Sequence, residues 1–252
     1  MTLESCTVSF GGLVAVDAFS LQVRPRELVS LIGPNGAGKT TVFNAITGVY
    51  PLAQGAIRFD GLGLAGLPPH RVAKLGVGRT FQNIRLFRAL SVLDNLRAAM
   101  HHGGDYDLLR AAFRSRRWAA TEARLEAEAR ELLGVFGLAG RAEEPAGSLP
   151  YGEQRRLEIV RALATGPKLL LLDEPAAGMN PAETQRLMEL IRSLIERFSL
   201  TILLIEHDMK LVMGVSDRVV VLNYGRAIAA GTPQQIAHDP AVIEAYLGEP
   251  TD

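Results

Sequence analysis

Two kinds of apolar spacing divide the chain. Apolar and polar positions alternate in CTVSF (6–10) and FSLQV (19–23), as in a half-buried strand. ELVSLIG (27–33) is instead a short apolar run ending in glycine, as in a strand buried on both faces. TTVFNAITG (40–48) reads as a helix closed by Gly48, and GAIRFDG (55–61) as a further strand between glycines. From about residue 85 to 162 the period becomes helical. Ser91 with Asp94 marks a capped start, followed by Leu93, Leu96 and Met100 on one stripe. Leu125, Ala129, Leu132, Leu133 and Phe136 mark a clearer helix, with Arg124–Glu128 and Glu126–Arg130 paired on its polar side. Alternation of strand and helix then resumes: KLLLLDEP (168–175), a helix over 181–198, TILLIEHD (201–208) and DRVVVLNYG (217–225). The helix has Asn180 as cap, Pro181 at its first position and Glu183 to complete the box; Leu187, Leu190, Ile191, Leu194 and Phe198 form its apolar face.

This pattern predicts an α/β fold with a mainly parallel core sheet covered on both faces, an antiparallel β portion near the start, and an inserted helical subdomain. The expected boundaries are a core of residues 1–84 and 163–252 and a helical block over 85–162. Composition changes little in this picture. The 252 residues are 48% hydrophobic and 21% charged, ordinary values for a globular chain. Lys and Arg (27) balance Asp and Glu (27), so no global field points to nucleic acid. The basic stretch RAAFRSRRW (110–118), followed by glutamates, reads as a solvated face, with contact to phosphate or lipid headgroups as the other reading. A lone Cys6 excludes an internal disulfide and fits a reducing compartment. No apolar run approaches the length of a membrane span, and no signal sequence is evident, so a membrane is expected to be met through a partner.

Chemistry enters at GPNGAGKTT. Gly33, Pro34, Asn35, Gly36, Ala37, Gly38, Lys39, Thr40 and Thr41 satisfy the phosphate-loop pattern, and they lie between a strand and a helix. The glycines let successive N–H groups turn inward as an anion nest, and the helix start adds its partial positive charge. Lys39 is then expected at the β- and γ-phosphates, with the Thr40 hydroxyl on Mg²⁺. LLLLDEP supplies the complement: a buried strand carries Asp173 to its end, where it holds Mg²⁺ through water. Glu174, next in the chain, is placed to polarise an attacking water.

With these motifs in order, the chain resembles the ATPase subunit of an ATP-binding cassette (ABC) transporter over essentially its whole length. The resemblance implies Mg-dependent ATP hydrolysis with ATP and Mg²⁺ as ligands. It makes Gln82, in RTFQN, the glutamine that touches the metal and the attacking water and faces the transmembrane partner. It makes His207, in LLIEHDM, the histidine at the γ-phosphate. Phe10 matches the aromatic that stacks on adenine, while a core strand phenylalanine remains the other reading.

Two places depart from the family pattern. Asn180 stands where an aspartate is usual, and SLPYGEQRRLEIVRAL (148–163) has Pro150 and Tyr151 in the signature. Proline brings neither hydroxyl nor N–H, so one donor to the γ-phosphate is missing, while Gly152 and a helix expected from Glu153 remain available to the anion. Such subunits pack head to tail, each signature completing the other subunit's site, so the departures bear on the partner's nucleotide.

The variants themselves resemble one of the two ATPase subunits of branched-chain amino-acid importers, as do DEPAAGMNP, the insert NIRLFRALSVLDNL and the ending GTPQQIAHDPAVIEAYLGE. That resemblance implies a second, non-identical ATPase subunit, two membrane-spanning permease subunits, an extracytoplasmic solute-binding protein met indirectly, and a place on the cytoplasmic face of the membrane. Open alternatives are a related importer for amides, urea or another polar solute, a soluble ABC protein of translation or DNA repair, and a non-hydrolysing regulatory module.

Overall fold

A computed structural model describes residues 1–101 and 116–247. Of the basic stretch 110–118, residues 110–115 lie outside the described part, as do residues 248–252, which include Gly248 and Glu249 of the C-terminal motif. The chain forms two compact units, one of Met1–Val77 with Lys168–Asp252 and one of Gly78–Pro167.

The first unit holds two sheets. β1 (Thr2–Phe10), β2 (Leu13–Gln22), β4 (Gln54–Phe59) and β5 (Leu62–Gly63) form an antiparallel sheet in the order β2-β1-β4-β5. β3 (Leu28–Ile32), β7 (Leu169–Asp173), β8 (Thr201–Ile205), β9 (Arg218–Asn223) and β10 (Arg226–Gly231) belong to a second sheet of order β10-β9-β3-β8-β7-β6. Its edge strand β6 (Val77–Arg79) is where the chain leaves this unit. The pairs β3–β8, β3–β9 and β7–β8 are parallel, and β10 runs antiparallel to β9. Every residue of β3, β7 and β8 is buried, which is why these strands read as unbroken apolar runs. Cys6 is buried on β1, and its thiol is pushed up by that burial.

The helices of this unit are α1 (Lys39–Ile46), α2 (Pro69–Lys74), α6 (Pro181–Phe198), α7 (Met209–Val215), α8 (Pro233–Ala237) and α9 (Pro240–Leu247). The capping box of α6 forms as its sequence predicts, with Asn180 accepting from Ala182 and Glu183 and Glu183 accepting from Asn180. Its buried stripe is narrower than expected. Leu187, Ile191 and Leu194 are buried together with Thr184, but Phe198 at the helix end is exposed.

The second unit contains α3 (Val92–Met100), α4 (Arg116–Val135) and α5 (Tyr151–Leu163). Ser91 caps α3 by accepting from the Asp94 N–H at 2.9 Å. Ala129, Leu133 and Phe136 bury one side of α4 and the turn after it. The unit begins at residue 78 and ends at 167, wider than the block 85–162 read from helical periodicity. Gln82 therefore belongs to the helical unit. The reason is visible in hydrogen bonds: Arg155 on α5 donates to the carbonyls of both Phe81 and Gln82 at 2.8 Å.

Candidate functional site: a phosphate loop beside three strand ends

Strand register builds the first half of the site. Asp173 pairs with Ile205 across β7–β8, and Ile205 pairs with Leu31 across β8–β3. Three buried strands thus end at one level, and the residues that follow them emerge along one edge of the sheet. Those residues are the loop from Gly33, Glu174 after β7, and Glu206 and His207 after β8. This is the carboxyl end of a parallel sheet, where open α/β folds bind ligands.

The loop from Gly33 to Gly38 depends on glycine at its two ends. Gly33 has φ 149°, and a Cβ there would lie 1.9 Å from the Leu222 carbonyl oxygen. Gly38, at φ 103°, caps α1, and a Cβ there would lie 2.6 Å from the Ala15 oxygen. Both positions combine a backbone angle that other residues adopt at a cost with no room for a side chain. Between them Asn35 and Gly36 are exposed, Pro34 is half-buried and Ala37 is buried.

Lys39, the first residue of α1, is buried, and its ammonium donates to Gly33 O at 2.6 Å and Pro34 O at 2.8 Å. Burial pulls its pKa below the ordinary lysine value, against the opposing pull of Glu174 and Asp173. Thr40 is exposed and Thr41 half-buried at the same helix start. Thr40 supplies an alcohol and Asp173 a carboxylate, hard oxygen donors that suit Mg²⁺. Among the described residues no group of three or more His, Cys, Asp or Glu is placed to hold a metal. The donor set therefore fits an ion that is held by one or two side chains and keeps phosphate and water for the rest.

Asp173 is buried at the end of β7. Glu174 turns the chain at φ 47°, in the left-handed region, while its N–H still bonds Ile205 O at 2.9 Å. A non-glycine residue held there costs on the order of 1–3 kcal/mol and needs its surroundings to fix it. His207 is exposed, with Nδ1 3.7 Å from Glu174 Oε2 and 3.7 Å from Glu206 Oε2. These separations are ion-pair range for a protonated ring, beyond hydrogen-bond length.

Glu206 is the residue that sequence reading missed. Its carboxylate is fully buried and accepts three main-chain N–H groups: Ala176 at 2.9 Å, His207 at 2.8 Å and Asp208 at 3.1 Å. One acid therefore fixes both the turn after Glu174 and the segment carrying His207. Charge-assisted bonds of this kind are about twice as strong as neutral ones. The only hint in the sequence is a charged residue directly after an apolar strand, which is also how many exposed strand ends look.

Phe10 is not a core residue. It ends β1 with 44% of its surface exposed and is braced edge-on by Tyr50, ring centroids 4.9 Å apart.

The second half of the expected site lies on the helical unit. Helix α5 begins at Tyr151, two residues before the expected start at Glu153, with Pro150 as its cap. Proline favours the extended conformation of a cap residue, and so the helix starts directly after it. Gly152 is buried in the first turn. The Glu153 N–H already bonds Pro150 O at 3.0 Å, and its carboxylate lies 3.6 Å from Arg141 and 3.7 Å from Arg156. Glu153 thus caps the local charge balance, and the donors left at this helix start are those of Tyr151 and Gly152.

Comparison with known proteins agrees with this geometry. The family profile described as "ABC transporter" matches residues 16–177, and one described as "Branched-chain amino acid ATP-binding cassette transporter" matches residues 228–252. The chain is 48% identical over 249 residues to the high-affinity branched-chain amino acid transport ATP-binding protein BraF of Pseudomonas aeruginosa, covering 99% of this chain and 98% of that one. It is equally similar, at 48% with the same coverage, to the protein LivG of Escherichia coli K12, which carries the same description. Among solved structures, the ADP conformation of MJ1267, an ATP-binding cassette of an ABC transporter, superposes with a TM-score of 0.84 at 30% identity, covering 98% of each chain. A phosphate loop, an Asp–Glu strand end and a histidine strand end in one register, on a chain with these relatives, mean that it belongs to the ABC transporter ATP-binding family.

Proposed function

We propose that this chain is the ATP-hydrolysing subunit of an ABC importer for branched-chain amino acids. The observation that carries the reading is the common level of the β3, β7 and β8 ends, which sets Lys39, Asp173, Glu174 and His207 along one edge. The substrate class rests on the relatives and on the C-terminal profile match.

In this reading the N–H groups of Gly33 to Thr41 cradle the phosphates, and Lys39 exchanges its bonds to Gly33 and Pro34 for the β- and γ-oxygens. Thr40 and Asp173 would hold Mg²⁺. Held there, the ion would supply neutralisation of charge on the phosphate oxygens. Water attacks the γ-phosphorus as the bond to the bridging oxygen of ADP breaks, and Glu174 takes the water's proton. His207 donates to a γ-phosphate oxygen and is held beside Glu174 by the Glu206 bonds. Phe10 offers its exposed face to adenine.

The signature at Pro150–Glu153 serves the nucleotide of a second cassette, here a non-identical homologue, packed head to tail. The Gln82 segment, with Phe87 and Leu90 exposed, faces two membrane-spanning permease subunits. No described helix is long and apolar enough to cross a membrane, so attachment to the cytoplasmic face runs through those partners. A solute-binding protein is reached only through the permease.

The test is a pull-down from solubilised membranes with tagged Glu174→Gln and Mg-ATP. Co-purification of two membrane-spanning proteins and a second cassette supports the reading. A complex of soluble proteins or ribosomes overturns it.

A further inference from the structure

Residues 80–90 of the helical unit contain no helix or strand, yet they carry Gln82. Their main-chain groups need partners from elsewhere; main chain serves Arg88 and Leu90, and side chains serve Phe81, Gln82, Arg85 and Phe87. At the far end Asn95, fully buried, accepts from Phe87 N at 3.0 Å and donates to Phe87 O at 3.1 Å. At the near end the partners come from α5. Arg155, also fully buried, donates through Nη1 to Phe81 O at 2.8 Å and to Glu158 Oε2 at 2.9 Å. Its Nη2 donates to Gln82 O at 2.8 Å and to the Tyr151 hydroxyl at 3.4 Å. The other oxygen of Glu158 accepts from Arg85 N at 3.2 Å. One buried ion pair therefore grips the main chain at 81, 82 and 85 and reaches Tyr151 in the first turn of its own helix. The ring of Phe81 is covered by the Arg85 guanidinium at 4.2 Å, which stiffens the same stretch.

Stability alone is a poor reason for such a pair. Burying two charges costs more than burying apolar side chains of the same size, and apolar replacements are often neutral or stabilising. Here the pair is also imperfect, since Arg155 Nε is buried without a hydrogen-bond partner. What the pair supplies is geometry. A planar guanidinium holds two adjacent carbonyls and a carboxylate at fixed angles, which a lysine cannot do.

We propose that Arg155 and Glu158 are positioning residues that lock the Gln82 segment to the first turn of α5, so that a displacement at one is delivered to the other. The proposal rests on the function proposed above: α5 begins at the signature that meets the partner's nucleotide, and Gln82 lies on the segment that faces the permease. The pair would thus be the link by which nucleotide state in one cassette is read at the permease contact. Neither residue touches nucleotide.

The experiment uses the assembled transporter in lipid vesicles, with leucine as the transported probe. Arg155→Met/Glu158→Leu is compared with wild type, Arg155→Lys and Glu174→Gln by thermal melting, ATP binding, kcat with and without transport, and amide exchange of the peptides covering 80–90 and 150–154. In wild type, Mg-ATP protects the two peptides together. In the double variant, melting and ATP affinity stay near wild type, because Lys39 and Asp173 lie on the other unit. The co-protection is lost, kcat falls about 10- to 100-fold as expected for a misplaced catalytic segment, and leucine-dependent stimulation disappears. Arg155→Lys keeps the charge but does not restore co-protection, and it still folds if the double variant does not. Co-protection and stimulation that survive in the folded double variant, or full restoration by lysine, overturn the proposal. If wild type itself shows no leucine-stimulated, Glu174-dependent hydrolysis, the functional reading fails, while the exchange data still judge the lock.

Discussion

The two units place their functional residues by different physical means. In the core unit the register of β3, β7 and β8 does the placing: Leu31, Ile205 and Asp173 stand side by side, and the next residues have nowhere else to emerge. In the helical unit no strand carries Gln82, and its segment is fixed by side chains reaching to main chain, from Arg155, Glu158 and Asn95. A sheet edge gives a rigid platform that tolerates little movement. A loop held by a few side chains forms a discrete piece that is able to shift with the helix that holds it. The core unit suits chemistry, and the helical unit is the one to which we assign transmission in the proposal above. Glu206 is the exception on the core side, a buried side chain that completes what register leaves undone between the turn after Glu174 and the His207 segment.

The sharpest break in this comparison is at the chemistry itself. Glu174→Gln should lower kcat by about 10²–10⁴-fold, the range for loss of a general base, while ATP affinity stays intact. Single-turnover hydrolysis against equilibrium binding separates the two, and a variant with normal turnover would remove Glu174 from the mechanism. Next in size is Glu206→Ala, which strips three N–H groups of their acceptor. It should lower kcat by about tenfold or more through misplaced His207. It should also destabilise the fold by about 1–3 kcal/mol through the buried Ala176 N–H. If it unfolds the chain without moving kcat per folded molecule, strand register alone places His207.

Phe10→Ala should weaken ATP binding by about 1–3 kcal/mol, with little change in thermal stability because the ring is already exposed. Equal weakening of inorganic triphosphate binding would show that the ring does not act through the base. The smallest effect concerns Lys39. Burial depresses its pKa below 10.5, so between its depressed value and 10.5 the folded chain binds fewer protons than the unfolded one. Stability therefore gains as pH rises through that window. ATP affinity moves the other way, because phosphate favours the charged ammonium, and binding should take up a proton there. Calorimetry in buffers of different ionisation enthalpy measures that uptake, which should vanish in Lys39→Met.

Much of this protein is legible in the chain. The phosphate loop, the buried strands, the capping box at Asn180–Pro181–Glu183 and the apolar stripe of α4 all depend on neighbours within a few residues, so sequence spacing determines them. The α/β class and the ABC family follow from their order. Tertiary structure decided what depends on distant partners: that Phe10 is exposed and Phe198 with it, that Pro150 starts α5 at Tyr151, and that Gln82 belongs to the helical unit. It also decided that Glu206 and Arg155, ordinary charged residues on paper, are buried and hold loops together. A charged side chain shows its spacing in the sequence, but the main-chain groups it satisfies lie across the fold, from Ala176 to Glu206 and from Phe81 to Arg155. Only folding brings those donors and acceptors within 3 Å of each other.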